Sequence, residues 1–357
     1  MISLEKQIEE IEKEIRETPY HKGTERHIGI LKARIAKLKN NLEENLNKKG
    51  GGGGGYAVRK QGDATVVLVG PPSAGKSTLL NALTNAESKV APYAFTTVSV
   101  IPGMMKYNDA YIQILDVPGL IEGAEEGKGR GREVISVVRG ADLLIIISDV
   151  ERPEAINKIK NALERNGIRI NKNPPDILVE KKIKGGIVVK TNIKQDFDKK
   201  TILEIANEMG IKNAEIQIKQ KVSIDELIDV FAKNRVYVPA ISVINKADTT
   251  TESNFSNNNF LFISAEKGYN LDELKKAIWD NLNLVKIYLI KHNSDVNEEN
   301  PMIVKKNQTL TDILKSIGSN FAATYTKAKI WGGGAKYPGQ EVSLKTQVVS
   351  GMKVRFI

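Results

Sequence analysis

A glycine-rich turn between two regular segments restricts the fold of this 357-residue chain more than any other feature of its sequence. Residues 65–69 are a run of apolar and β-branched residues, the pattern of a strand buried on both faces. The turn that follows has the spacing Gly70-x-x-x-x-Gly75-Lys76-Ser77, and a helical pattern continues from it to about residue 85. This succession of strand, turn and helix predicts an α/β fold with a phosphate-binding loop.

The residue types of this turn suit the phosphates of a nucleotide. Glycines let successive backbone N–H groups curl around phosphate oxygens, and the following helix adds the positive end of its dipole. By this chemistry Lys76 reaches the β and γ phosphates and acts in catalysis, and the Ser77 hydroxyl ligates Mg²⁺. The residues of the turn predicted to contact the nucleotide are Gly70, Pro72, Ser73, Ala74, Gly75, Lys76, Ser77 and Thr78.

A carboxylate follows a second predicted strand, which ends at Leu115. The sequence Asp116-Val117-Pro118-Gly119 stands where a phosphate-loop nucleotidase needs an aspartate on Mg²⁺, usually through water, and a flexible glycine. We predict Asp116 as a metal ligand and the Gly119 N–H as a contact to the γ phosphate in catalysis. The pattern Asp-x-x-Gly is by itself a common turn, and its position after the strand is what supports this interpretation.

Two further loops follow predicted strands and indicate that the base is guanine. The first is Asn245-Lys246-Ala247-Asp248. Its aspartate can accept hydrogen bonds from the guanine N1–H and exocyclic amine, a pair that adenine lacks. Asn245 can tether the phosphate-binding loop, and the stem of Lys246 can lie across the base. The second loop, predicted to give a backbone N–H to the guanine carbonyl oxygen, comprises Ser264, Ala265 and Glu266.

Strands and helices alternate along most of the chain, which predicts a doubly wound, mostly parallel sheet. Between two of its strands lie 85 residues, 151–235, where a single crossover helix suffices, so we predict an inserted α+β module at 166–222. The remaining strands are predicted at 98–101, 111–115, 143–148, 238–244 and 261–263, and helices near 133–139 and 271–282.

The two ends of the chain carry patterns of their own. Apolar residues at helical spacing in 4–15 and 31–46 predict a helical hairpin, with an acidic first helix and a basic second helix. Pairing between the two leaves a basic surplus on the second helix for a partner. Six consecutive glycines, 50–55, then mark a linker. After residue 284 short strands and one helix predict a compact mixed domain. The predicted domains are 1–60, 61–284 with its insertion 166–222, and 285–357.

The formal net charge of +10 is unevenly distributed. Residues 21–60, 151–235 and 285–357 are basic, and the predicted sheet is acidic. Positive charge on attached modules favours a polyanionic partner, and RNA is favoured over DNA or a membrane. The alternative interpretation is that these segments are lysine-rich surfaces in contact with solvent. In 301–357 the aromatic residues Tyr325, Trp331 and Tyr337 stand among cations, which suits RNA. For Trp331 itself, packing in a small core is the favoured interpretation.

Composition excludes several classes of protein. The chain contains no cysteine, which excludes disulfides, thiolate nucleophiles and Cys-ligated zinc, and three histidines are a poor basis for a dedicated metal centre. No apolar run approaches the roughly 18–20 residues that a membrane-spanning helix needs. The first residues alternate acids and bases, unlike a signal peptide. We therefore expect a cytoplasmic protein without a membrane partner.

Four segments together resemble the Obg-related GTPases, and more closely the archaeal type of the developmentally regulated GTP-binding protein (DRG) subfamily. They are Tyr93-Ala94-Phe95-Thr96-Thr97, residues 116–119, the glycine-rich charged run 123–132, and the glycines 50–55 leading into 56–64. The resemblance covers nearly the whole chain. It implies a helical hairpin, a GTPase core, an insertion similar to the second domain of ribosomal protein S5, and a C-terminal domain similar to TGS. It also implies that Thr97, with Thr96 as the alternative, is the switch threonine that ligates Mg²⁺.

Two positions depart from the patterns of related GTPases. Relatives that use potassium as a catalytic cation often carry asparagine where this chain has Ser73, so the resemblance leaves a requirement for K⁺ open. Where Ras-type GTPases place a water-orienting glutamine, this chain has Leu120, whose apolar side chain cannot hydrogen-bond water. We therefore predict slow intrinsic hydrolysis and a switch segment, residues 120–132, that the γ phosphate orders.

The sequence thus predicts a Mg²⁺-dependent switch that binds and hydrolyses GTP and acts on ribosomes or ribosomal RNA, in translation or ribosome assembly. GTP and GDP are its predicted nucleotides. The resemblance to DRG-family GTPases adds a dedicated partner protein as a further candidate partner. An alternative of another class is an RNA- or ribosome-binding scaffold that uses GTP structurally with negligible hydrolysis. An ATPase is a second alternative, against which the intact guanine motif argues.

Overall fold

A computed structural model describes residues 3–49, 61–84, 100–117, 130–232, 234–249, 260–290, 301–318 and 324–357. Thr97, Gly119 and most of the predicted switch segment therefore lie outside the described residues, as do the glycines 50–55. The chain divides into two compact units. The first consists of Met1–Gly55 with Leu163–Tyr237, and the second of Tyr56–Ala162 with Val238–Ile357.

The helices and strands are numbered along the chain. The described helices are α1 (Leu4–Glu17), α2 (Glu25–Lys49), α3 (Lys76–Thr84), α4 (Arg130–Arg139), α5 (Ala155–Arg165), α6 (Lys199–Glu208), α7 (Ile224–Phe231), α8 (Leu271–Leu282) and α9 (Leu310–Ile317). The described strands are β1 (Ala64–Val69), β2 (Ile101–Tyr107), β3 (Ala110–Asp116), β4 (Leu143–Asp149), β5 (Ile168–Ile170), β6 (Ile177–Lys181), β7 (Ile187–Thr191), β8 (Ala214–Ile218), β9 (Val236–Val238), β10 (Ala240–Asn245), β11 (Leu261–Phe262), β12 (Leu284–Leu289), β13 (Met302–Lys305), β14 (Lys327–Gly332), β15 (Gln340–Ser343) and β16 (Met352–Phe356). Within these described ranges no helix has the length and apolar character to span a membrane.

The main sheet of the second unit has six strands in the order β11-β10-β4-β1-β3-β2. Neighbouring strands are parallel except β2, which pairs antiparallel with β3 at one edge. Every residue of β1 and β4 is buried, as expected for central strands of a parallel sheet covered on both faces. The predicted doubly wound, mostly parallel sheet is confirmed.

The parallel strands of this sheet all end at the same edge. Gly70 follows β1, and β3, β4 and β10 end at Asp116, Asp149 and Asn245. The strand register pairs Leu68 with Asp116 and Asn245 with Asp149. The loops that carry the predicted site residues therefore meet at one carboxyl edge, the usual ligand-binding position in an open α/β sheet.

The edge strand β2 differs from its prediction. The sequence predicts a strand at 98–101, whereas β2 spans Ile101–Tyr107, Val100 precedes it, and residues 98 and 99 lie outside the described residues. β2 contains Pro102 and Gly103, which disfavour a central strand but are tolerated at an edge, where one side makes no ladder hydrogen bonds. Gly103 also lies close to α3, because a Cβ there would be 2.6 Å from Cγ2 of Thr84. The apolar pattern alone therefore placed this strand too early in the chain.

In the first unit α1 and α2 pack on each other, and α2 packs on the inserted module. That module has a three-stranded sheet in the order β6-β8-β7, against which α6 and α7 lie. Ala33 and Ala36 of α2 share a buried cluster with Ile202 and Ile205 of α6. A Cβ on Gly29 would lie 3.3 Å from Ile205, so α2 approaches α6 closely at this glycine. The helical hairpin and the insertion share one hydrophobic core.

The basic charge of α2 is partly neutralised within this first unit. His27 contacts Glu14 of α1 at 2.9 Å, which fits the predicted pairing between the two helices. The expectation that the remaining cations stay available to a partner is wrong for three of them, because acids far away in the sequence lie opposite them. The cations Arg26, Lys32 and Arg34 pair with Glu204, Asp225 and Glu208 of α6 and α7.

The second unit also contains a five-stranded sheet with the order β13-β12-β16-β14-β15. β12 and β16 are parallel, and the other neighbours are antiparallel. α9 begins with a capping box formed by Thr309 and Asp312, and its apolar residues share a buried core with Ala328 and Ile330 of β14. Trp331 follows Ile330 and so lies on the opposite face, outside this core, contrary to the packing expected for it from the sequence.

Candidate nucleotide-binding site

The phosphate-binding loop begins where β1 passes close to its neighbour β4. A Cβ added to Gly70 would lie 2.3 Å from the carbonyl oxygen of Ile147 in β4. Neither backbone can move without disturbing the central pair of the sheet. The packing of the sheet therefore requires glycine at this position, independently of any ligand.

Two residues of the loop have left-handed backbone conformations, Ser73 with φ of 62° and Gly75 with φ of 85°. Such residues turn successive N–H groups toward one side and form a concave nest that suits an anion. A Cβ on Gly75 would also lie 2.2 Å from Nδ2 of Asn245. Gly75 is therefore required both by its conformation and by the approach of the guanine motif.

Lys76 opens α3 and is buried beneath the loop. Its Nζ donates to the carbonyl oxygens of Gly70 at 3.1 Å and Pro71 at 2.9 Å. Burial lowers the pKa of Lys76 below its ordinary value, and the nearby charge of Asp116 opposes that shift. The loop thus holds a lysine side chain at the positive end of a helix, an arrangement that favours an anionic ligand.

The next residue of α3 connects the loop to the end of β3. The Ser77 hydroxyl donates to Oδ2 of Asp116 at 2.6 Å. The other carboxylate oxygen of Asp116, Oδ1, is buried and has no hydrogen-bond partner in the part of the chain that the structure describes. A buried carboxylate oxygen without a partner is costly, and coordination of a cation is one way to satisfy it.

This donor set fits Mg²⁺. The ion prefers oxygen ligands and is commonly bound by one or two protein oxygens together with substrate phosphates and water. The Ser77 hydroxyl and the Asp116 carboxylate supply two such oxygens beside the phosphate-binding loop. Among the described residues, no three His, Asp or Glu side chains gather to hold a metal by themselves. The arrangement therefore suits a cation shared with a nucleotide.

Asn245 joins three loops at the sheet edge. Its Nδ2 donates to the carbonyl oxygen of Ala74 at 2.9 Å, and its Oδ1 accepts from the N–H of Ala265 at 3.0 Å. The side chain is 3% exposed, so both hydrogen bonds form away from water. Asn245 thus ties the phosphate-binding loop to both loops of the predicted guanine site.

Lys246 and Asp248 of the guanine motif are exposed, whereas Ala247 between them is buried. Asp248 is exposed, and a hydrogen bond from the Ser264 side chain lowers the pKa of its carboxyl group. Lys246 has a left-handed backbone with φ of 63°, and its Nζ lies 3.6 Å from Oδ2 of Asp149. An ionised, oriented aspartate beside an anchored lysine stem is the arrangement that guanine recognition needs.

Two unpredicted residues, Asp149 and Arg152, also reach the site. Asp149 ends β4 and is 1% exposed. The Arg152 guanidinium donates to both of its carboxylate oxygens, and also to the carbonyl oxygen of Pro72 at 3.0 Å. An acid at the end of the apolar run 143–148 was a usable signal for Asp149. Nothing in the sequence marked Arg152, which lies in the turn beyond the strand.

The structure therefore brings the phosphate-binding loop, Asp116 and both predicted guanine loops to one edge of the sheet. The predicted site residues that are exposed there include Pro72, Ser73, Thr78 and Glu266. Thr97 and Gly119 lie outside the described residues, so their roles stay predictions.

The strand, loop and helix at the edge of this doubly wound sheet define a P-loop GTPase fold. The family model of the 50S ribosome-binding GTPase matches residues 65–182, and the model of the C-terminal region of that domain matches residues 184–284. These matches agree with the guanine motif, whose loops follow β10 and β11.

Relatives that match nearly the full length identify the family. Developmentally-regulated GTP-binding protein 1 of Xenopus laevis is 42% identical over 94% of each chain, and developmentally-regulated GTP-binding protein 2 of Homo sapiens is 40% identical over 94% of each. An uncharacterized GTP-binding protein of Methanocaldococcus jannaschii is 41% identical over 98% of this chain and 92% of its own. The chain belongs to the family of developmentally regulated GTP-binding proteins and is a GTP-binding GTPase, as its motifs predicted.

Proposed function

We propose that this chain is a Mg²⁺-dependent switch that hydrolyses GTP to GDP and phosphate and acts on ribosomes or RNA, in translation or ribosome assembly. The nucleotide half of the proposal rests on the convergence of Lys76, Asp116 and the guanine motif at one sheet edge. The RNA half rests on a cationic face of the C-terminal sheet. Each half has its own test.

In this proposal the loop amides and Lys76 hold the β and γ phosphates, and the Gly119 N–H contacts the γ phosphate. Ser77, Thr97 and Asp116 hold Mg²⁺, which neutralises charge on the phosphate oxygens when it is bound. Leu120 cannot orient the attacking water, so a backbone group or a partner must do so and intrinsic hydrolysis is slow. Hydrolysis rates in K⁺ and in Na⁺ decide whether a monovalent cation contributes at the loop that carries Ser73.

The guanine loops select the base. The Asp248 carboxylate accepts from the guanine N1–H and exocyclic amine, and the stem of Lys246 lies across the ring. Asn245 keeps these groups in register with the phosphate-binding loop, because its amide bonds to Ala74 and Ala265. A backbone N–H of the loop Ser264–Glu266 completes recognition at the guanine carbonyl oxygen.

A cationic face on the C-terminal sheet supports contact with RNA. In β14 and β16, buried residues alternate with the five that define this face, Lys327, Lys329, Trp331, Lys353 and Arg355. The register places Trp331 opposite Lys353 and Lys329 opposite Arg355. The Arg355 guanidinium lies 5.4 Å from the centre of the Trp331 ring. Cations around an aromatic ring provide both phosphate contacts and a stacking surface for bases.

The five residues that define the cationic face include four cations and no acid. Glu341 of the neighbouring strand β15 lies 3.6 Å from Nζ of Lys327 and 3.9 Å from Nζ of Lys329. One acid is thereby shared between two cations, and such exposed pairs are weak. A polyanion such as RNA therefore fits this face better than a neutral or cationic partner.

Cosedimentation with purified ribosomes tests the RNA half of the proposal. The double variant Lys329→Glu/Lys353→Glu reverses two charges of the cationic face and should bind about tenfold more weakly at the same salt concentration. The matched control Lys158→Glu/Lys276→Glu reverses two exposed lysines on α5 and α8 and should bind as the wild type does. Binding that is equal in the two double variants would contradict the proposal, provided that both retain their affinity for GDP.

A second candidate function is a ribosome- or RNA-binding scaffold that uses GTP structurally. The observation that favours it is Leu120 at the position of the water-orienting glutamine. Single-turnover hydrolysis distinguishes the two functions. A scaffold shows negligible GTP turnover even with ribosomes present, whereas a switch is stimulated by them.

A further inference from the structure

Arg152 contacts the phosphate-binding loop and the anchor of the guanine-motif lysine with one guanidinium. Its Nε and Nη2 donate to the two carboxylate oxygens of Asp149, at 3.3 Å and 2.6 Å. Nη2 uses its second hydrogen on the carbonyl oxygen of Pro72, at 3.0 Å. Asp149 in turn lies 3.6 Å from Nζ of Lys246. The Arg152 side chain is therefore connected to the phosphate-binding loop directly and to Lys246 of the guanine motif through Asp149.

The turn after β4 fixes the direction of this side chain. The backbone N–H of Arg152 donates to Oδ1 of Asp149 at 3.1 Å, and the Ser148 hydroxyl donates to the carbonyl oxygen of Arg152 at 2.6 Å. Because both backbone groups of Arg152 are hydrogen-bonded, the backbone that carries the guanidinium is held in one position. Its planar fork can make all three side-chain hydrogen bonds together, which the single ammonium of a lysine cannot do in the same geometry.

The buried charge of Asp149 explains why this network is more than a surface ion pair. Burial alone raises the pKa of Asp149, but hydrogen bonds from Arg152, with the charges of Arg152 and Lys246, outweigh that effect and hold the pKa below its ordinary value. Asp149 is therefore ionised at neutral pH. A buried carboxylate attracts both cations strongly, and loss of either one leaves it poorly compensated.

We propose that Arg152 is a positioning residue for guanine nucleotides. It holds the Pro72 carbonyl of the phosphate-binding loop and, through Asp149, the side chain of Lys246, so that phosphate contacts and base contacts are set in one geometry. Arg152 acts through these two neighbours. The proposal concerns GTP binding, which the family membership of the chain establishes, and it is independent of the action on ribosomes.

Equilibrium binding of a fluorescent GDP analogue to the full-length protein tests this role. Arg152→Ala should weaken binding about tenfold, because it removes charge-assisted hydrogen bonds to Asp149 and Pro72. Arg152→Lys keeps the charge without the fork and should show an intermediate loss. Lys158→Ala removes the same charge six positions later, at an exposed site on α5, and should bind as the wild type does.

A double-mutant cycle with Lys246→Ala separates positioning from a general loss of packing. Part of the effect of Arg152 passes through Lys246. In the Lys246→Ala background, Arg152→Ala should therefore weaken binding only about threefold, instead of about tenfold. Losses that multiply fully, or an Arg152→Ala variant that binds GDP as tightly as the wild type, would overturn the proposal. If Arg152→Ala fails to fold, Arg152→Lys decides: weaker binding at an unchanged melting temperature supports the proposal, and wild-type affinity overturns it.

Discussion

The two sheets of the second unit present their functional residues in different ways. The six-stranded sheet buries both faces of its central strands, and its predicted site residues lie at or just beyond the carboxyl ends of the strands. There Asp116 accepts a hydrogen bond from Ser77, and Asn245 donates one to the carbonyl oxygen of Ala74. The five-stranded sheet packs one face against α9 and leaves Lys329 and Lys353 on the other. One sheet uses an edge and the other a face.

The difference predicts how each region responds to substitution. An edge gathers short contiguous segments into one fixed geometry, so a single change there should alter which ligand binds. A face gathers every second residue of several strands into a charged surface, so a single change should alter how strongly a polyanion binds and little else. The predictions below compare the two regions directly.

The largest effect on ligand binding is expected at the edge, for Asp248→Asn. An asparagine cannot accept both hydrogen bonds from guanine, and its amide can donate instead to the carbonyl group of xanthine. The ratio of GTP affinity to xanthosine triphosphate affinity should fall by about a hundredfold. Competition of each nucleotide against fluorescent GDP measures this ratio.

The exposed acid Asp272 on α8 supplies the control. Asp272→Asn should leave the ratio of the two affinities unchanged. If Asp248→Asn lowered the affinities for GTP and xanthosine triphosphate equally, that result would count against base recognition by this residue. It would also weaken the contrast between edge and face.

Two adjacent residues of β14 compare the two sides of one strand. Ile330 is fully buried, so Ile330→Ala should lower the free energy of unfolding by about 2–5 kcal/mol. Trp331→Ala removes a ring on the opposite side and should lower it by less than about 1 kcal/mol, while weakening ribosome binding about fivefold. Urea unfolding and ribosome cosedimentation measure these effects. Equal destabilisation by the two substitutions would place Trp331 in the core and remove the aromatic part of the cationic face.

A smaller effect than that of Ile330→Ala is expected for Gly70→Ala, at the start of the phosphate-binding loop. The added Cβ meets the carbonyl oxygen of Ile147, and overpacking against backbone costs about 1–3 kcal/mol in the free energy of unfolding. Gly140→Ala, where a Cβ would have its nearest contact at 3.4 Å, is the matched control and should change stability by less than about 0.5 kcal/mol. Equal urea midpoints for the two variants would show that the sheet tolerates a side chain at residue 70.

The edge could be predicted from the sequence because its residues occur in contiguous motifs after apolar runs. Asn245 and Asp248 are three residues apart, and the parallel strands that precede the site loops fix where those loops meet. Asp149 and Arg152 escaped prediction because their partners, Pro72 and Lys246, are distant in the sequence. A hydrogen bond between a guanidinium and a backbone carbonyl leaves no trace in residue patterns.

Other features depended on contacts that only the folded chain shows. The alternation Lys329, Ile330, Trp331 places Ile330 on one face of β14 and its two neighbours on the other. The sequence composition did not show which of these faces packs on α9. The cations of α2 pair with acids of the insertion, which a pattern within the hairpin cannot reveal. Local periodicity thus predicts elements and motifs, whereas long-range pairing decides which charges are left for a partner.

The most direct test of the account is the single-turnover rate of GTP hydrolysis with and without purified ribosomes, with ATP as the control nucleotide. We predict slow hydrolysis of GTP alone, strong stimulation by ribosomes, no effect with ATP, and loss of the stimulation in Lys329→Glu/Lys353→Glu. A GTP hydrolysis rate that ribosomes leave unchanged would contradict the proposal that this GTPase acts on the ribosome.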